Sequence, residues 1–165
     1  MKKIALYLVA SITTLSCSNA QIKEFSKETV QKELVLTDNN KVTFKDLLKK
    51  HKGKVTVIEI WASWCSDCVK AMPKVKEMQA NHPNVDMVFI SMDKAFDKWL
   101  AGIEKHELKG DHYWVTDGMK GEFGKSIDLD WIPRYIILDK NGKIITYRAI
   151  ETDFETINAT LKTLE

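Results

Sequence analysis

The stretch Val55-Thr56-Val57-Ile58-Glu59-Ile60-Trp61-Ala62-Ser63-Trp64-Cys65-Ser66-Asp67-Cys68 joins a β-branched run to two cysteines three residues apart. An almost uninterrupted apolar run of this length, Val55 to Ala62, predicts a parallel strand buried on both faces. From Ser66 to about Asn81 the apolar residues Val69, Met72, Val75 and Met78 recur at three- and four-residue steps, which predicts a helix starting directly after the first cysteine. The cysteine pair therefore sits where a buried strand turns into a helix.

That position carries chemistry. Orphan backbone N–H groups and the positive dipole end at a helix N-terminus stabilise an anion, so Cys65 is expected to be acidified from roughly 8.5 toward neutrality. Thiol–disulfide exchange needs a thiolate as the attacking group. Cys68 lies on the same side of the first turn and can resolve a mixed disulfide formed at Cys65. The alternatives are a structural disulfide or half of a zinc site. Zinc needs about four ligands, and His51, His82, His106 and His112 lack ligand spacing, so no metal is expected. No cofactor is required for the exchange reaction.

Outward from this stretch, Val85 to Met92 reads as the next strand and about Lys94 to Glu107 as an amphipathic helix through Phe96, Trp99, Leu100 and Ile103. An irregular segment, His112 to Asp130, follows. Arg134 to Leu138 and Lys143 to Arg148 then predict two strands joined by an Asn141-Gly142 turn, and about Asp153 to Leu164 predicts a closing helix. Upstream, Lys41 to Phe44 reads as a short strand leading into a helical turn that ends near Gly53. Residues 21–38 are polar, lack Gly and Pro and read as a tether, so the folded domain is expected over 39–165.

The first twenty residues stand apart. Lys2 and Lys3 precede an uncharged apolar run, Ile4 to Ile12, too short to span a bilayer, which reads as a signal peptide over 1–20. Ser18-Asn19-Ala20 offers small residues for cleavage before Gln21, giving a periplasmic or otherwise extracytoplasmic protein. Alternatively Leu15-Ser16-Cys17 reads as a lipobox, with Cys17 acylated and the protein held at a membrane as a lipoprotein. Either route leaves the mature chain only Cys65 and Cys68 as thiols. An exported domain with one such pair has no framework of structural staples. The chain of 165 residues is 44% hydrophobic, about one domain's worth. Its 25 basic and 23 acidic residues fall to 23 against 23 without Lys2 and Lys3, a balance that does not suggest nucleic acid.

The residues from Val55 to Pro73, with WASWC-x-x-C and a proline five positions past the second cysteine, resemble the thioredoxin superfamily, and most closely its exported TlpA/ResA-like branch. The resemblance covers about Lys41 to Leu164. It implies an α/β fold: a thioredoxin-like three-layer sandwich with a central mixed β-sheet flanked by helices. It implies that Pro133, in Trp131-Ile132-Pro133-Arg134, is a cis-proline lying against the cysteines, with Ile132 offering backbone to substrate. It also implies that Glu59 is a buried acid passing protons to and from Cys68. A carboxylate in a central strand costs several kcal/mol unless neutralised or paired, so its presence there asks for a reason.

Two departures qualify the resemblance. Between the cysteines thioredoxin has Gly-Pro, whereas Ser66-Asp67 stands here. Asp67 beside the thiolate disfavours its charge, which makes the disulfide harder to reduce and points to a reductant. Ala71 stands where the ResA-like branch often carries Glu, which puts selectivity for cytochrome c maturation in doubt. Trp61 and Trp64 are expected to shape the site, one as core packing and one as a partly exposed rim, with Trp64 counted among the substrate-binding residues, and Arg134 is expected as a solvated strand-end charge. The partners expected are exported proteins bearing thiols or disulfides and a membrane-bound thiol donor. An oxidase or isomerase using the same cysteines is the opposite reading. Ala62, where a peroxidase needs Thr or Ser, argues against peroxide chemistry. A peptide-binding module would lack one of Cys65, Cys68 or Pro133, and all three are present.

Overall fold

The computed structural model describes residues 22–165; the signal-peptide and Cys17 readings fall outside them. Among the described residues the chain forms β1 (Glu33–Leu36), β2 (Lys41–Thr43), α1 (Phe44–Lys50), β3 (Thr56–Trp61), α2 (Ser66–Asn81), β4 (Asp86–Ser91), α3 (Phe96–His106), β5 (Asp111–Trp114), α4 (Glu122–Ser126), β6 (Arg134–Leu138), β7 (Ile144–Ala149) and α5 (Phe154–Leu164). One mixed sheet runs β2-β1-β5-β4-β3-β6-β7. β3, β4 and β5 are parallel to one another, whereas β6 runs antiparallel to β3 with Glu59 opposite Tyr135. This is the expected three-layer α/β arrangement.

All six residues of β3 are buried, as its apolar run demands. Successive side chains point to opposite faces. On one face α1 and α4 meet through Phe44 and Phe123, whose ring centroids are 5.3 Å apart, and Phe25 adds an edge contact to Phe44 at 4.8 Å. On the other, α2 packs on α5, and the Tyr135 ring stands 5.3 Å from Phe154 of α5. Trp61 joins that second face: α3 lies beside α2, joined at its end by the Lys76–Glu107 ion pair, and Gly102 of α3 lies against the Trp61 indole. Alternation then puts Glu59 in the layer that carries α2, and Ile58 and Ile60 in the layer of α1 and α4.

Two expectations need correction. Residues 21–38, expected as a tether, instead include a 3-10 turn (Thr29–Gln31) and β1, whose Leu34 and Val35 are buried and which pairs with both β2 and β5. A four-residue strand with a charged end is too short to show a pattern in a polar stretch. The segment read as irregular, His112 to Asp130, contains most of β5 and all of α4. β5 has one buried residue, Tyr113, between half-buried His112 and Trp114 and no β-branched residue, and α4 holds Gly124 in only five residues. No helix of the described residues is long and apolar enough to cross a membrane.

Candidate active site

β3 delivers the chain to the sheet's edge, and Ala62 to Trp64 turn it into α2. Asp93, just beyond β4, shapes that turn. Its buried carboxylate accepts from the Ser63 N–H at 3.0 Å, the Ser63 hydroxyl at 2.6 Å and the Ser91 hydroxyl at 2.7 Å, while its carbonyl accepts from the Trp114 indole at 2.7 Å. Gly102 allows α3 to close on the same turn: a Cβ there would fall 2.7 Å from the Ser63 Cβ and 3.1 Å from Trp61. The segment ahead of Cys65 is thus fixed by packing on one side and by a carboxylate on the other.

Cys65 is the N-cap of α2. Its Sγ accepts from the Cys68 N–H at 3.1 Å and is bonded to the Cys68 Sγ, with the Cα atoms 5.3 Å apart. Cys65 retains 6% exposure and Cys68 none, so only the first sulfur is open to attack from outside. Opposite, the Ile132–Pro133 bond is cis, Pro133 is buried, and the Ile132 carbonyl lies 3.5 Å from the Cys65 Sγ. The expected proline thus stands against the first cysteine.

Around this pair lies a shallow groove of about 360 Å³. Trp64, Cys65, Ser66 and Asp67 form one wall, and Ile132 with Met119, Asp130 and Trp131 forms the other. Trp64 is 54% exposed and Trp131 52%, two of only three exposed large hydrophobic side chains among the described residues. Asp67, in the first turn of α2, has its carboxylate 3.4 Å from Lys70, so its charge is shared with a cation. Five of the expected site residues therefore meet in the groove, while Cys68, Pro133 and Glu59 lie inside.

Glu59 is fully buried, and burial raises its carboxyl from 4.5 to about 8, opposed only by a hydrogen bond from Tyr135. The Tyr135 hydroxyl donates to Glu59 Oε1 at 3.4 Å, and Oε2 has no partner among the described residues. Glu59 is thus a carboxylic acid at neutral pH, as a buried acid without a cation should be.

Arg134, expected as a solvated strand-end charge, is 1% exposed. It pairs with Asp130 and donates to the Ile127 and Asp128 carbonyls at 3.4 and 3.3 Å, and Arg148 binds Asp128 and Asp130 from outside. This network braces the loop that leads to Ile132. Asp128 and Asp130 near two arginines were a possible signal, but sequence separation hid Arg148. Tyr135, Asp93, Met119 and Trp131 were also not foreseen as site residues. Of these only Trp131 carried a signal, as an aromatic two residues before Pro133.

A family profile described as thioredoxin-like matches residues 53–144. The chain is 27% identical over 100 residues to the thiol-disulfide oxidoreductase ResA of Bacillus thuringiensis subsp. konkukian, covering 59% of this chain and 56% of that protein. It is 23% identical over 101 residues to the sporulation thiol-disulfide oxidoreductase A of Bacillus subtilis, covering 60% and 61%. It thus spans less than two thirds of the length of these relatives. Among solved structures, a thiol-disulfide oxidoreductase from Bacteroides fragilis superposes with a TM-score of 0.69 at 25% identity, covering 84% of this chain and all of that one.

Proposed function

We propose that this chain, which belongs to the thioredoxin-like family, is an extracytoplasmic thiol–disulfide oxidoreductase that reduces disulfides in exported proteins. The observation that carries the reading is the Cys65–Cys68 disulfide at the N-terminus of α2, facing the Ile132–Pro133 cis bond across an aromatic groove.

In its reduced form Cys65 attacks. The α2 dipole and the Cys68 N–H favour its thiolate. The Cys65 Sγ bonds to one sulfur of the partner disulfide, and the partner's other sulfur leaves as a thiolate. The partner's chain lies across the groove, its backbone against Ile132 and an apolar side chain between Trp64 and Trp131. In molecules whose Glu59 has released its proton, Cys68 then gives its own proton to that carboxylate and attacks the Cys65 Sγ, which releases the partner reduced and closes the Cys65–Cys68 bond. Glu59 suits this step because Cys68 is sealed from solvent and an acid poised near pH 8 exchanges protons with a thiol at small cost.

The reductant direction rests on Asp67. Its negative charge opposes the thiolate and so stabilises the disulfide form, with Lys70 moderating the effect. A membrane-bound thiol donor recharges the pair. Export rests on the Lys2-Lys3 and Ile4–Ile12 pattern, with Gln21 or acylated Cys17 as the mature start.

Trapping tests this function. The Cys68→Ser variant, expressed with its natural N-terminus, is expected to accumulate mixed disulfides through Cys65 with exported proteins, released by dithiothreitol. A Cys65→Ser, Cys68→Ser double variant is expected to trap none. Absence of Cys65-dependent adducts would remove exported proteins as substrates, and the mass of the recovered N-terminus reports cleavage or lipidation.

A further inference from the structure

The end of the sheet remote from the cysteines carries a basic corner. Thr56 stands opposite Leu138 and Ile60 opposite Arg134, so the turn after β6 lies where β3 starts, while Pro133 and Cys65 lie where β3 ends. Three segments meet at the start of β3. Lys52-Gly53-Lys54 leads into the strand, Lys140 and Lys143 flank the Asn141-Gly142 turn between β6 and β7, and Lys23 lies on the chain entering the fold. Two main-chain hydrogen bonds tie these segments together: the Gly53 N–H donates to the Lys140 carbonyl and the Ile144 N–H to the Lys23 carbonyl, both at 2.9 Å.

All five lysines are exposed. The Lys140 ammonium donates to the main-chain oxygen of Glu165 at 3.0 Å, and the other four have no carboxylate partner among the described residues. The acids in these segments are Glu24, exposed, and Asp139, whose carboxylate accepts from the Asn141 and Lys143 N–H groups at 2.8 and 2.9 Å. The Glu165 carboxylate turns to His82 at 2.7 Å. Positive charge is therefore in surplus, beside the chain that leads back to Gln21 and Cys17.

We propose that Lys23, Lys52, Lys54, Lys140 and Lys143 form a docking face for an anionic phospholipid bilayer, which holds the domain with its cysteine groove turned away from the membrane. This rests on the export reading, which places the chain beside a bilayer, and not on the direction in which the cysteines pass electrons. A lysine close to an anionic bilayer strengthens binding about fivefold. One acyl chain holds a protein only reversibly, and a chain joined to a basic patch holds it stably. Cys17 is six positions before Lys23, within about 20 Å of extended chain, so an acyl group there and the lysine face would reach the same surface. In a chain cut before Gln21 the face acts alone and gives a loose, salt-sensitive attachment.

The test is co-sedimentation of the protein beginning at Gln21, which keeps every element described, with vesicles of phosphatidylglycerol and phosphatidylcholine in equal parts or of phosphatidylcholine alone. At about 0.1 M ionic strength a charge is felt only within about 10 Å. The protein is then expected to sediment with the mixed vesicles and not with the neutral ones. Lys52→Gln, Lys54→Gln and Lys143→Gln together are expected to weaken that binding about a hundredfold. Lys94→Gln, Lys98→Gln and Lys120→Gln together remove the same charge at the cysteine end and are expected to leave it near the wild-type value. Dithiothreitol is expected to reduce vesicle-bound and free protein equally fast, because the groove faces water. Equal binding to neutral vesicles, equal binding by the two triple variants, or displacement by inorganic phosphate at constant ionic strength would overturn the lipid face. Slower reduction on vesicles would overturn the orientation. The mass of the recovered N-terminus tests export separately: vesicle binding with an unprocessed Met1 start overturns the export reading, and no binding with a processed start overturns this proposal.

Discussion

Ile58 and Glu59 are neighbours on β3, equally inaccessible, and serve opposite layers of the molecule. The layer on the Ile58 side is a stack of aromatic and aliphatic groups between α1, α4 and the sheet, with Phe25, Phe44 and Phe123 in edge contact. The layer on the Glu59 side holds an acid, a buried phenol and a buried sulfur beneath the N-terminus of α2. One side lowers the free energy of the fold. The other accepts the cost of burying ionisable groups and keeps a reactive bond at its edge, so a single strand separates stability from chemistry by the alternation of its side chains.

The sharpest break of this comparison comes at the reactive edge. Cys65→Ser is expected to abolish disulfide reduction, assayed with insulin and dithiothreitol, because no other described thiol is reachable. On the structural side, Phe44→Ala is expected to cost about 3–5 kcal/mol in chemical denaturation and to leave the reduction potential of the cysteine pair where it was. A shift in potential would show that the two layers are coupled.

Glu59 sharpens the contrast through pH. It keeps its proton to about pH 8 in the folded chain and releases it near 4.5 when exposed. Between those values the unfolded state binds fewer protons than the native state, so this group lowers stability as pH rises and its effect levels off above about 8. The stability of Glu59→Gln relative to wild type is expected to grow by about 1.4 kcal/mol per pH unit across that window, measured by urea unfolding at stepped pH. A constant difference would mean Glu59 is paired and ionised. The smallest effect is expected at Gly102→Ala, where crowding of Ser63 and Trp61 costs about 1–3 kcal/mol by thermal or urea unfolding.

Much of this was legible in the sequence. The Val55–Ala62 run and the periodicity over 66–81 are long and one-sided, so they placed β3 and α2 and hence Cys65 at a helix start. Pro133 needed the family resemblance, since spacing alone does not reveal a cis bond or its place against Cys65. β1 and β5 were missed because each is four residues long and is held by neighbours distant in the chain. Arg134 was misread because its partners, Asp130 and the 127–128 carbonyls, come from a loop without pattern. Tyr135 was invisible for a related reason: its contact with Glu59 spans 76 positions and exists only through strand register.

The central claim is that Cys65–Cys68 is a redox couple poised for reduction of other proteins. Its reduction potential, determined in protein beginning at Gln21 against defined dithiothreitol or glutathione ratios, tests this most directly. The account expects a value near or below that of thioredoxin, about −270 mV. A value near about −120 mV would contradict it, making the protein an oxidant and the role assigned to Asp67 wrong.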